Sequence, residues 1–388
     1  MTPTLTRPLQ IAMAAALMLG VLVPPTVVAQ QQDQPKTTES MTMREKRAQR
    51  RAEIKGETAQ KGETGKQVAE EKRPALFPNA TRVAPEAKAN GKLLKQLQGL
   101  QALYEKQDLP AAIAKANEIA AMPTAGAYEK SYAYSIAASA AADQDDQAKA
   151  EDYFSKAIES NGLDNDSHFT TMFNLAVIQY QQEKYPAALA TLDRFMAESK
   201  SQKPEHLSFR AGLLANLGRN AEAAAAYKVL IASNPDDKRL LMNAVASLQA
   251  ADKYDEANVL LEDAYKRGML TEAKELRTLY VGYMNANRWN DAKAVMEAGS
   301  TKGILEQNPQ LAKDYMVLAQ NAYAEDNLPL AVEMYTKAGP IAVDGEAYLN
   351  LAKVLEFSGK KADAKAAAQK ALDKGVKKPE EAKRILSR

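Results

Sequence analysis

The chain has 388 residues, 46% of them hydrophobic, with 51 Lys and Arg against 49 Asp and Glu, two histidines and no cysteine. The absence of cysteine excludes a disulfide framework, a thiolate zinc site, an iron–sulfur cluster and a cysteine nucleophile, and His168 and His206 alone are a thin basis for a metal site that needs three or four convergent ligands. A formal net charge of +2 gives no global reason to expect nucleic acid, whose binders usually carry a basic excess.

Residues 1–29 read as a secretory signal. Arg7 is their only charge, Ile11 to Val23 is an apolar run, and Pro24-Pro25 precedes the small-residue site Val27-Val28-Ala29, after which cleavage is expected. The run falls short of the ~20 residues that span a bilayer, so no stable membrane insertion is expected once the signal is removed. The cleavage site is not followed by a cysteine, which excludes a lipoprotein anchor. The mature chain is expected in an exported compartment.

Residues 30–91 read as a charged, disordered tether. They carry 13 basic and 9 acidic side chains, and only seven of the 62 come from Val, Ile, Leu, Met, Phe, Trp and Tyr, too few to offset the entropy of ordering. Met43 to Ile54 has no Gly or Pro and suits a transient basic helix. It lacks the aromatic and leucine face of interfacial helices, which favours a solvated spacer over a patch that touches anionic lipid or an acidic partner. Ala75-Leu76-Phe77-Pro78 is the one apolar knot, suited to local docking.

Composition changes over 92–388, which hold 23 of the 24 aromatic residues and 37 basic against 40 acidic side chains. Ala112, Ala150, Ala188, Ala223, Ala257, Ala292, Ala331 and Ala364 are separated by 38, 38, 35, 34, 35, 39 and 33 residues, and most follow a polar turn such as Lys253-Tyr254-Asp255-Glu256. Each unit carries two helix-length apolar patterns, as in Leu240–Leu248 and Tyr254–Tyr265 with a turn at 251–253. Ala257, Leu261 and Ala264 share one helical face, as do Ala223, Tyr227 and Leu230, and the small residue lets two backbones approach. Pro235 closes one second helix. With no strand-length run of period two, the fold expected is an all-α solenoid of about eight helix-turn-helix units from Lys92 to Lys378, with Pro379–Arg388 as a lone capping helix.

This pattern resembles the tetratricopeptide-repeat family, whose 34-residue unit has a small residue, an aromatic and an alanine at these spacings. A closer resemblance lies in Ala264–Thr271, Glu275-Leu276, Lys302-Gly303-Ile304, Val343–Tyr348 and Lys370–Val376, together with Leu163-Asp164-Asn165. These stretches are similar to periplasmic tetratricopeptide proteins that accompany TonB and its ExbB/ExbD motor. The resemblance implies a periplasmic accessory of energy transduction to outer-membrane iron-siderophore transporters; the alternative is an envelope-assembly or cell-wall scaffold unrelated to TonB.

Chemistry finds little support. No phosphate-binding Gly-rich loop, His-Glu-x-x-His, Gly-x-Ser-x-Gly or Cys-x-x-Cys motif is present, so no enzyme, cofactor or metal is expected. His168 and His206 read as helix-start or surface residues, and Asp143, Asp145 and Asp146 as a solvated turn that lacks the glycine and glutamate of a calcium loop. Function is assigned to a protein or peptide partner on the concave face, lined by the first helix of each unit. Asn174, Asn243 and Asn350 occupy one repeated place there, each offering an acceptor and two donors to an extended backbone. Phe173, Tyr180, Met242, Arg277, Met284, Met316, Gln320, Tyr323 and Lys353 complete the expected groove, unless some, Tyr180 and Tyr323 above all, are inter-helix core residues. The lysine pairing of terminal-carboxylate clamps is absent at Asn174 and Asn243.

Overall fold

The computed structural model describes residues 74–86 and 89–388. The expected signal peptide, the basic helix at 43–54 and most of the tether lie outside them. The described residues form seventeen helices and no strand. Sixteen make eight consecutive hairpins: α1 (Gly91–Glu105) with α2 (Leu109–Ala121), α3 (Ala127–Asp143) with α4 (Gln147–Glu159), α5 (Asn165–Gln181) with α6 (Tyr185–Ser199), and α7 (Pro204–Asn216) with α8 (Asn220–Ser233). There follow α9 (Lys238–Ala250) with α10 (Tyr254–Lys266), α11 (Ala273–Asn285) with α12 (Trp289–Thr301), α13 (Pro309–Ala324) with α14 (Leu328–Ile341), and α15 (Glu346–Phe357) with α16 (Lys361–Lys374). The single helix α17 (Pro379–Ser387) follows the eighth hairpin.

Local chemistry explains the repetition. Each periodic alanine is the fourth residue of a second helix, and none of the eight is more than 1% exposed. The residues four and seven further on, such as Leu261 and Ala264 or Tyr335 and Ala338, are buried with it, so one stripe of every second helix faces the first helices. Prolines sit where a missing N–H costs nothing, in the first turn of α2, α6, α7, α13, α14 and α17.

Every intra-unit turn is built alike. The residue two before each second helix has positive φ: Gln107, Asp145, Glu183, Gly218, Asp252, Asn287, Asp326 and Gly359. The N–H of the next residue then donates to the carbonyl five back, at 2.8–3.0 Å in all eight cases, as in Lys253 to Leu248, which closes the first helix in a Schellman turn. Only two of the eight are glycine, so the other six hold a left-handed backbone against its steric cost. Glu183 is exposed with φ of 59°. Glu183→Gly is therefore expected to stabilise the protein by about 0.5 kcal/mol and to raise the melting temperature by about 1–2 °C; a fall on thermal unfolding would show that the turn is unstrained.

The apolar interior forms two clusters, one from α1 to α9 and one from α8 to α17, and Ile231 and Leu260 pack against both. Ala382 and Ile385 of α17 are buried in the second cluster, and Arg388 pairs with Glu356 at 3.0 Å.

At the other end the structure departs from the expected tether. Residues 74–86 form a strap along the edge where second helices end and the next first helices begin. Phe77, 7% exposed, inserts its ring between Phe169 of α5 and Phe195 of α6, with centroids at 5.4 and 5.6 Å in edge geometry, and stacks on His206 of α7 at 6.3 Å. The Leu76 N–H donates to both carboxylate oxygens of Asp166 at 3.0 Å, and the Thr81 N–H donates to the Glu198 carbonyl at 2.8 Å. The apolar knot therefore docks, and the described residues 74–86 of the expected tether pack on the solenoid. A composition count dilutes one aromatic among 62 residues and does not register that its ring fills a pocket while the neighbouring backbone donors find acceptors on the solenoid.

Candidate functional site

Counted back from the periodic alanine, the twelve expected groove residues fall into four columns on the first helices. Phe173, Met242, Arg277 and Met316 lie fifteen residues before it, Asn174, Asn243 and Asn350 fourteen, Gln320 and Lys353 eleven, and Tyr180, Met284 and Tyr323 eight. Steps of three and four keep these columns on neighbouring strips of a helix. The strip at thirteen, twelve and nine residues before the alanine faces the second helices instead, as Leu318, Ala319 and Ala322 show by their burial.

The structure sorts the twelve by what each touches. The three asparagines, Met242 and Met316 are half-buried, and Gln320 is exposed. Tyr180 and Tyr323 are exposed rather than core residues, and each reaches the next unit: Asn216 donates to the Tyr180 hydroxyl at 3.4 Å, and Tyr323 meets Phe357 edge-on at 6.0 Å. Phe173 belongs to an aromatic cluster with Phe195, His206 and Phe209, its centroid 4.6 Å from the His206 ring. Met284 is a correction. It shares the column of Tyr180 and Tyr323 but is only 6% exposed and part of the core, because an unbranched, flexible thioether folds into irregular gaps that a phenol does not fit.

Two of the expected cations already have partners. Arg277 makes a two-point contact with Asp314 of the next unit, Nε to Oδ2 at 2.8 Å and Nη2 to Oδ1 at 3.0 Å. Tyr280 also donates to Asp314 Oδ2, at 2.6 Å, and Gln310 to Oδ1, at 3.2 Å. Burial, followed by that carboxylate, pushes the Tyr280 phenol far up, while the hydrogen bond to Asp314 raises Arg277. Such a satisfied network locks α11 against α13, so Arg277 is first of all a joint between units. Lys353 is held by Glu381 of α17.

Sequence reasoning missed Val317, which takes the asparagine place in the seventh unit, and Phe357, one residue beyond the tyrosine column and 65% exposed. Extending the alanine count to seven and eight residues upstream finds Phe357 and Asn216 together with their tyrosine partners. Neither histidine is at the surface. His168 is 1% exposed with no hydrogen-bond partner for either ring nitrogen, and His206 is buried with its Nδ1 2.7 Å from Ser201 Oγ. Burial drives the His168 pKa down to about 4, helped by the Arg82 guanidinium, and lowers that of His206.

Among the described residues there is no group of three or more His, Cys, Asp or Glu that could hold a metal ion, and no helix is long and apolar enough to cross a membrane. Asp146 caps α4 and pairs with Lys149 at 2.7 Å, so it serves a turn. A cleft of about 400 Å³ lies between the start of α10 and the end of α11, lined by Asp252, Tyr254, Asp255, Asn258 and Asn285. It contains no histidine and no nucleophile set beside a base.

No protein-family model and no curated protein matches the chain. Among solved structures, a tetratricopeptide repeat protein from Parabacteroides merdae is 17% identical over 66% of this chain and 97% of its own, with a TM-score of 0.38. YrrB, a TPR protein with an unusual peptide-binding site, is 18% identical over 48% of this chain and 90% of its own, also at 0.38. The structure of Naa15/Naa10 bound to HypK-THB aligns over 76% of this chain and 44% of its own, at 12% identity and a TM-score of 0.51. Eight hairpins with a buried small residue at one repeated place, followed by a single helix, give this chain the tetratricopeptide-like solenoid fold.

Proposed function

We propose that this protein is a non-enzymatic protein-binding scaffold whose first-helix face grips an extended segment of a partner. The observation that carries the reading is the exposure of Val317, Tyr323 and Phe357 on the first helices of the seventh and eighth units and of Tyr180 at the Tyr323 place in the third, with Asn174 and Asn350 half-buried on two of the same helices. Exposed aromatic rings next to amides suit a peptide, since the rings supply contact area at little entropic cost and the amides satisfy its backbone.

Within this reading the partner is a periplasmic segment of the TonB system, on the strength of the signal sequence and the resemblance at 264–271 and 370–376. Those resembling residues serve unit junctions. Arg267 donates to the Pro235 carbonyl at 2.9 Å, and Lys374 to the carbonyls of Gly339 and Pro340 at 2.7 and 2.8 Å. The assignment therefore rests on capturing the partner.

In-cell crosslinking from the Tyr323 and Phe357 positions, read by mass spectrometry, is expected to recover TonB, ExbB or ExbD. Recovery of only cell-wall or outer-membrane assembly factors would replace the TonB role with the envelope-scaffold one. The double variant Tyr323→Ala, Phe357→Ala is expected to weaken capture tenfold or more, about 1.4 kcal/mol, with little change in melting temperature because both rings are exposed. Undiminished capture would remove this face from the binding reading.

A further inference from the structure

The strap is held in the way one protein holds another protein's peptide. Its backbone is read by side chains: Asp166 accepts the N–H groups of Leu76 and Phe77, and the Asn165 amide donates to the Arg82 carbonyl at 3.0 Å. Its side chains enter two separate places. Phe77 fills the pocket made by Phe169, Phe195 and His206, with the Lys203 ammonium 5.2 Å from its centroid. Five residues later the Arg82 guanidinium donates to Asn161 at 2.8 Å, to Asn165 at 2.8 Å and to the Leu163 carbonyl at 3.0 Å.

The attachment is also thin. Leu76 and Val83, the other large apolar residues of the segment, are exposed, and most of its hydrogen bonds lie at the surface. The burial of one ring is all the apolar gain that offsets the ordering of a dozen residues. Segments of this kind open at the low end of a protein's stability range. The acidic groups at the edge, Asp164, Asp166 and Glu198, suit a ligand that brings N–H donors and a cation.

We infer that the loop edge between α4 and α7 is an autonomous peptide-binding site, distinct from the first-helix face, for an extended segment of the pattern aliphatic-aromatic-proline with an arginine five residues after the aromatic, and that the chain's own residues 74–86 occupy it and keep it closed. The aromatic pocket selects the ring, Asp166 requires an extended backbone with two free N–H groups there, and Asn161 and Asn165 select the arginine. Asn165, which contacts both the guanidinium and the backbone carbonyl, couples the two ends of the motif.

The test uses the full chain and a fluorescein-labelled peptide of residues 74–86, followed by fluorescence anisotropy up to millimolar protein. Wild type, with its site filled, is expected to bind at least tenfold more weakly than Phe77→Ala, whose pocket is vacated. A peptide with alanine in place of its phenylalanine and arginine is expected not to bind either protein. If Phe77→Ala loses helical content by circular dichroism, Arg82→Ala empties the other end of the site without opening the core and takes its place. Equal binding by wild type and vacated variant, or none by a vacated variant of native helicity, would overturn the inference.

Discussion

Ala257→Arg is expected to destabilise the solenoid by about 3 kcal/mol or more, seen as a melting temperature at least about 6 °C below wild type. Ala257 is the fourth residue of α10, with no exposed surface, in one core cluster with Val245, Leu248 and Leu261. A long side chain there must push helices apart, which by overpacking alone costs about 1–3 kcal/mol, and its guanidinium would arrive without a partner in an apolar site, a burial proteins do not tolerate. Repeat stacks are held by nearest-neighbour interfaces, so the loss should part the fifth unit from its neighbours and broaden or split the transition. Val259→Arg is the control. It lies two residues along the same helix, is exposed, and is expected to change stability by no more than about 0.5 kcal/mol. A melting curve for Ala257→Arg that overlays wild type would show that this alanine does not sit between packed helices.

Acidification is expected to destabilise the protein in a window set by the buried histidines. His168 stays neutral in the fold down to about pH 4, whereas in the unfolded chain it takes up a proton near 6.5. The unfolded state therefore binds more protons between those values, and stability is complete above about pH 6.5, falls as pH drops toward 4, and levels off below. At 1.36 kcal/mol per pH unit the loss from His168 is about 2 kcal/mol at pH 5 and about 3 kcal/mol at pH 4. Desolvation is the main cause. The charges that face the ring are Arg82 on the strap, Arg194 and Glu198 on α6, and Asp164 at the start of its own helix. His206 adds in the same direction. Carboxylates whose partners lower their pKa, such as Glu262 with Lys266 and Arg288, lose stability only below their ordinary value of 4.5, so the range from 6.5 to 5 isolates the histidines.

Replacing His168 by leucine should flatten that range and leave the protein as stable as wild type at pH 7 or more so. Neither ring nitrogen has a hydrogen-bond partner, so the substitution gives up no bond and removes a buried polar group. Denaturant titrations of both proteins at pH 7 and pH 5 decide the matter. An unchanged difference between the two pH values in His168→Leu would assign the acid sensitivity elsewhere.

The eight hairpins, their common face and the single helix after them were legible in the sequence because they follow from interactions between residues close along the chain. An alanine at a fixed place, a buried residue four and seven further on and a proline at a helix start are one-dimensional signals, and stacking repeats them. Even so, the turn geometry was hidden. Six of the eight positive-φ residues at the intra-unit turns are Gln, Asp, Glu or Asn, so no glycine marked them. The candidate face was legible in part: its columns came from helical spacing, yet spacing does not separate Met284, which is buried, from Tyr180 and Tyr323 in the same column, because that depends on the gap left by neighbouring helices. The joint between Arg277 and Asp314, the burial of His168, and the pocket that Phe77 fills with rings from three helices are decided by contacts across 37 to 129 positions of sequence. Periodicity repeats a local rule and so fixes helices and their pairing; contacts between distant residues depend on how the stack brings helices together, which only the folded chain determines.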